Sequence, residues 1–175
     1  ADNRSNGKNI FENSTKELYL DSSRNYMQIN TPRLQGVCAL AGTTVELPDF
    51  RIESMSTNGN LAVVSVDGMK PLYEAGRMVL VYSTNVLNSG MEFSDSSMIT
   101  LLNNGHEPAL LERGSFSVGI RNRVATSLKL YPLDLAGKRL KELVPQRIQG
   151  EWAWFSVDTG RDGAAIWFEI SGNRK

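Results

Sequence analysis

The sequence has one cysteine and one histidine in 175 residues, and it lacks an excess of either charge. Each scarcity excludes something. A lone Cys38 makes no internal disulfide, and in the apolar run Val37-Cys38-Ala39-Leu40 it reads as a buried, inert thiol. A zinc site needs roughly three or four Cys/His ligands, which two residues do not supply, so no metal or other cofactor is expected. Ser–His–Asp or Cys–His chemistry would rest on His106 alone. That residue sits in the polar turn Asn103-Asn104-Gly105-His106-Glu107-Pro108 and reads as an exposed loop histidine, with a ligand contact as the alternative. Lys plus Arg number 19 and Asp plus Glu 19, a balance that argues against a dedicated nucleic-acid partner. No unbroken apolar run exceeds six residues, so no membrane-spanning helix is expected. Position 1 is not Met and no charged-then-apolar leader is visible. The expectation is that a leader was removed or that the chain is a piece of a longer one.

What is present is strand grammar. Hydrophobic residues make up 41% and charged residues 22%, a globular profile of one-domain size. Residues 1–14 hold four Asn and two large apolar residues, which predicts a flexible leader or linker ahead of one domain over 15–175. From Glu17 onward short apolar runs recur, predicting strands over 17–20, 26–30, 34–41, 50–55, 61–66 and 78–82. Others follow over 99–102, 110–112, 116–120, 128–133, 139–143, 152–157 and 165–170. Asn58-Gly59, Asp67-Gly68, Asn104-Gly105, Ala136-Gly137 and Asp162-Gly163 supply turn signals between them. No stretch holds a helical apolar period. The predicted fold is all-β, an antiparallel, jelly-roll-like β-sandwich of about twelve short strands.

Three local patterns carry a resemblance. The first is Glu17-Leu18-Tyr19-Leu20-Asp21 followed by Met27-Gln28-Ile29-Asn30-Thr31-Pro32-Arg33-Leu34-Gln35-Gly36. The second is Arg77-Met78-Val79-Leu80-Val81-Tyr82 with Asn85 and Asn88-Ser89-Gly90-Met91-Glu92-Phe93. The third runs from Pro108-Ala109-Leu110-Leu111-Glu112 through Leu128-Lys129-Leu130-Tyr131-Pro132-Leu133-Asp134 to Ile166-Trp167-Phe168-Glu169-Ile170. This order resembles the accessory β-sandwich domain of bacterial glycoside hydrolases, a group that includes carbohydrate-binding modules. The resemblance implies a secreted or cell-surface, non-catalytic role beside a glycan-cleaving active site. Its implied partners are a polysaccharide or oligosaccharide and the catalytic domain of the parent enzyme, without nucleic acid or membrane.

The candidate site follows from strand alternation. Phe155 and Val157 share one face of their strand, and Ile166, Phe168 and Ile170 share one face of the next. If the two strands form a hairpin, Trp152, Trp154 and Trp167 fall together on the other face, with Ser156, Glu169 and Ser171. Indole faces suit the flat C–H patches of sugar rings. Packing under a loop or against a neighbouring domain is the competing reading. Glu169 and Arg33 are the expected polar helpers, Arg33 as a fork for a carboxylate, a salt-bridge partner or a loop clamp. The Asp158–Gly163 cluster reads as a hairpin turn rather than a calcium loop. The pairs Arg121/Arg123 and Lys138/Arg139 read as solvated turn residues. No two carboxylates stand out as a hydrolytic pair, so no catalytic residue is assigned. The expected function is a non-catalytic module that targets an enzyme to a plant-type polysaccharide. The alternative is a domain that braces the catalytic barrel without binding sugar.

Overall fold

In the computed structural model, which describes residues 4, 5 and 9–172, alternating buried and exposed positions shape the long strands. Numbered in chain order, nine strands form one sheet. Their order is β1 (Arg4–Ser5), β2 (Ile10–Glu12), β3 (Leu18–Asp21), β4 (Tyr26–Asn30), β5 (Leu34–Ala39), β8 (Gly59–Ser65), β9 (Arg77–Ser83), β18 (Trp167–Ser171) and β15 (Lys129–Pro132). Five form a second sheet: β16 (Arg147–Gln149), β17 (Trp152–Asp158), β14 (Ser115–Arg121), β7 (Phe50–Met55) and β6 (Val45–Glu46). All pairings are antiparallel, and the two sheets pack face to face as a sandwich. The class is the expected one. The strand total among the described residues is higher than expected, because several short exposed strands are added.

The core lies between the sheets because each long strand turns one apolar row inward. β8 contributes Leu61 and Val63, β9 Met78, Leu80 and Tyr82, and β18 Phe168 and Ile170. The facing row comes from β14 (Phe116, Val118, Ile120), β17 (Ala153, Phe155, Val157) and β7 (Phe50, Ile52, Met55). Phe116 joins the layers: its ring meets Tyr82 edge-on at 4.8 Å and Phe168 at 5.4 Å. Such pairs stabilise beyond their area by about 0.5–1.5 kcal/mol each. Buried Asn122 holds loops at one end. Its amide donates to the Leu72 and Ala75 carbonyls at 2.7 and 2.9 Å, and its side-chain oxygen accepts from the Val124 N–H.

The chain crosses between the two sheets after β5, β7, β14, β15 and β17, and once more from β9 to β14. Between β9 and β14 it forms an exposed arm, built from β10 (Val86–Ser89) paired with β13 (His106–Leu111) and β11 (Glu92–Phe93) paired with β12 (Leu101–Asn103). Of the expected leader, residues 1–3 and 6–8 lie outside the described residues, while Ile10–Glu12 is a strand paired with β3. The expected strand over 139–143 is reduced to two bridges, Leu133 with Arg139 and Leu130 with Leu143. Gly68, Gly105, Gly137 and Gly163 take positive φ at four of the expected turns. Gly59 does not: a Cβ there would sit 2.3 Å from the Ser83 carbonyl oxygen, so its role is close strand approach. Cys38 is half-buried on the outer face of β5, not in the core; Val37 and Ala39 are the inward residues.

A candidate binding groove on the five-stranded sheet

Trp152 and Trp154 point outward from β17, two residues apart and therefore on one face. Their rings stack at 6.0 Å with planes 27° apart. Trp154 lies in a row that crosses the whole sheet: Arg147, Trp154, Gly119, Arg51, Glu46. Gly119 makes room for the indole. A Cβ at that position would lie 2.8 Å from the ring, so the tryptophan lies directly over the glycine backbone. Guanidinium groups cover both rings, Arg147 over Trp154 at 4.4 Å and Arg51 over Trp152 at 4.3 Å. Each such contact stabilises by about 0.5–1 kcal/mol at a half-exposed site.

A groove of about 730 Å³ opens on this face, lined by Thr44, Glu46, Arg51, Glu53, Arg147, Gln149 and Trp154 among others. Its two arginines are bonded differently. Arg147 donates to Glu53 at 2.6 Å, and Glu53 also accepts from Ser117 at 3.2 Å. Among the described residues the one carboxylate paired with Arg51 is Glu46, at 3.7 Å, beyond hydrogen-bond distance. Two buried donors of groove-lining side chains have no acceptor among the described residues: Arg51 Nε and Trp154 Nε1. Native proteins leave few such donors unpaired, because each costs roughly 1–3 kcal/mol.

Next to the groove, Arg121 bonds Glu151 through Nε and Nη2 at 3.2 and 2.9 Å and lies 3.6 Å from Asp49. Tyr73 also donates to Glu151. Those hydrogen bonds, Tyr73 first and Arg121 second, hold the Glu151 carboxyl below its usual range. Burial pushes the Asp49 carboxyl up, opposed by Arg121. Arg121 is therefore an ion-pair hub rather than a solvated turn residue.

The expected five-residue platform does not assemble. Trp167 is on β18, which pairs with β9 and β15, whereas β17 pairs with β14 and β16. The two segments are sequence neighbours but belong to opposite sheets. Trp167 thus lies on the outer face of the nine-stranded sheet, 39% exposed, away from the other tryptophans. Glu169 is on that sheet too. Its two oxygens accept from Arg77 Nε at 2.6 Å and Arg139 Nε at 2.8 Å, so this buried carboxylate serves the fold and is held below the usual range, chiefly by Arg139. Arg139 accordingly is not a free turn cation. Arg33 sits in the turn between β4 and β5, with Nη1 3.3 Å from Met69 Sδ and no salt bridge among the described residues. The clamp in that turn is Thr31, whose hydroxyl accepts from the Leu34 N–H at 2.9 Å.

In the Asp158–Gly163 turn, Asp158 caps the Gly160 N–H, and Asp162 accepts from Arg161, Lys141 and the Asp158 N–H. Arg51, Arg147, Gln149 and Gly119 are site residues that the sequence reading did not find. The available signal was a glycine in the middle of the Phe116–Ile120 run. No helix among the described residues is long and apolar enough to cross a membrane. No family model matches the chain, and no curated protein or solved structure matches it either.

Proposed function

We propose that the chain is a non-catalytic carbohydrate-binding module of a secreted bacterial glycan-degrading enzyme, and that the groove lined by Trp154, with Trp152 stacked beside it, is its glycan site. One observation carries the reading. An open groove on the five-stranded sheet is lined by the Trp154 indole and by Arg51 and Arg147, with Trp152 stacked beside Trp154. Sugar hydroxyls and ring oxygens are dense acceptors, and Thr44 and Gln149 add polar groups at the rim. Because guanidinium groups cover the indole faces, a sugar ring meets the indole edges and the arginines rather than a bare stacking platform. Holding an enzyme on its polysaccharide raises the effective concentration of substrate. Affinity electrophoresis against a panel of soluble plant polysaccharides tests the reading. Retardation by at least one of them is expected, and Trp152→Ala should relieve it.

A specific observation favours bracing of a catalytic domain as the second reading. The outer face of the nine-stranded sheet carries a row in register, Leu18, Ile29, Gly36, Ala62, Val81 and Trp167. Phe11, Leu20 and Met27 lie beside it on the same face and are exposed. Apolar faces of this kind mark interaction sites. On the bracing reading the catalytic barrel covers this face, and no polysaccharide in the panel retards the chain.

A further inference from the structure

Resting on the glycan reading of the groove, we infer that its ligand carries carboxylates: the site takes a uronate-containing, acidic polysaccharide, with Arg51 as the residue that selects it. The arginines in and beside the groove are satisfied differently. Arg147 is committed to Glu53, and Arg121 to Glu151. The Arg51 side chain makes no hydrogen bond among the described residues. Its guanidinium carbon lies 4.3 Å from the centroid of the Trp152 ring, a contact that holds the group over the indole. Held there with its Nη groups unpaired and its side chain 38% exposed, the guanidinium presents the two N–H groups of its outer end, which match a carboxylate. An ammonium or amide does not reproduce that geometry.

Glu46 is the second element of the device. Its carboxylate is 3.7 Å from Arg51, and its side chain is 80% exposed. It is close enough to balance the charge of Arg51 and too far to satisfy its donors. Glu46 therefore marks where an incoming carboxylate would settle, and it competes weakly for that position. A ligand carboxylate displaces it into solvent at little cost, since an exposed pair at this distance contributes almost nothing to stability.

The test is calorimetry on the full chain with four probes: de-esterified polygalacturonate, its methyl-esterified form, a neutral galactan and poly-L-glutamate. The expected result is binding of polygalacturonate, weakened about tenfold or more by methyl esterification and by Arg51→Gln, as for a charge-assisted pair. Arg51→Lys keeps the charge without the fork and should recover only part of the loss. Glu46→Gln should tighten binding, and added salt should weaken it. Circular dichroism confirms that each variant folds, and Glu46→Gln tests the competition without touching Arg51. Equal affinity for the esterified or neutral polymers overturns this inference and leaves the glycan reading standing. Poly-L-glutamate binding as tightly as polygalacturonate also overturns it, because the groove would then read carboxylates on protein. If no polysaccharide binds at all, the glycan reading and this inference fall together.

Discussion

Gly119 matters because of what it lacks. The Trp154 ring lies where its side chain would be, 2.8 Å from an added Cβ, and Arg147 closes the other side of the indole. The ring is thus held between backbone and guanidinium, and it has little freedom to yield. Gly119→Ala should destabilise the chain by about 1–3 kcal/mol, as overpacking does. It should also shift tryptophan emission to longer wavelength as Trp154 is pushed out. A melting curve and an emission spectrum of the variant check both; unchanged emission would mean that the ring is not confined. At the same scale, Glu169 and Trp167 show how little one strand's alternation says about partners. That both face away from the core was legible from Phe168 and Ile170. That two arginines from β9 and the segment after β15 close on Glu169 was not, because neither is near it in sequence.

Period-two alternation reports which side of a strand is buried, and it does so equally well for either sheet of a sandwich. Phe155 and Val157 face the core from the five-stranded sheet, and Phe168 and Ile170 face it from the other. The inward rows were therefore legible in both strands, while their pairing was not. The expected hairpin of β17 and β18 was a choice the pattern does not make. Strands that bury little left the weakest signal. β16 is three exposed residues, Arg147-Ile148-Gln149, yet it forms one wall of the groove. Its hairpin with β17 turns through Gly150 and Glu151, with positive φ, +59°, at Gly150. A positive angle at the first of two central residues is the II′ arrangement that suits strand twist. Gly150→Ala should cost roughly 1–2 kcal/mol from left-handed strain. It should raise hydrogen exchange in β16 while leaving the β14–β7 pairing protected. Equal loosening of both would show that β16 is not an independent edge element.

The whole molecule is neutral by count and depends on paired carboxylates for its stability. Asp162, buried, is held well below the ordinary aspartate range, first by Arg161 and also by the Asp158 N–H and Lys141. Glu169 is lowered by Arg139 and Arg77. Both carboxyls titrate lower in the folded chain than in the unfolded one. Their contribution is therefore complete above the unfolded values and is lost as pH falls through the folded ones. The melting temperature should be flat near neutrality and fall below about pH 4. Asp162→Asn and Glu169→Gln should each lower the neutral value and flatten the acid decline. An acid decline unchanged in both variants would assign it to other groups. On this scale the two outer faces divide the molecule's surface chemistry: the five-stranded sheet presents a polar groove with aromatic rings, and the nine-stranded sheet an apolar row.

The assignment of glycan binding to the first of those faces is tested most directly by titrating the chain and two variants with a panel of soluble plant polysaccharides in a calorimeter. The prediction is that at least one polysaccharide binds, that Trp152→Ala weakens it about tenfold or more, as for an interface anchor, and that Trp167→Ala leaves it unchanged. Binding that survives Trp152→Ala and disappears with Trp167→Ala, or no binding by any member of the panel, would contradict it.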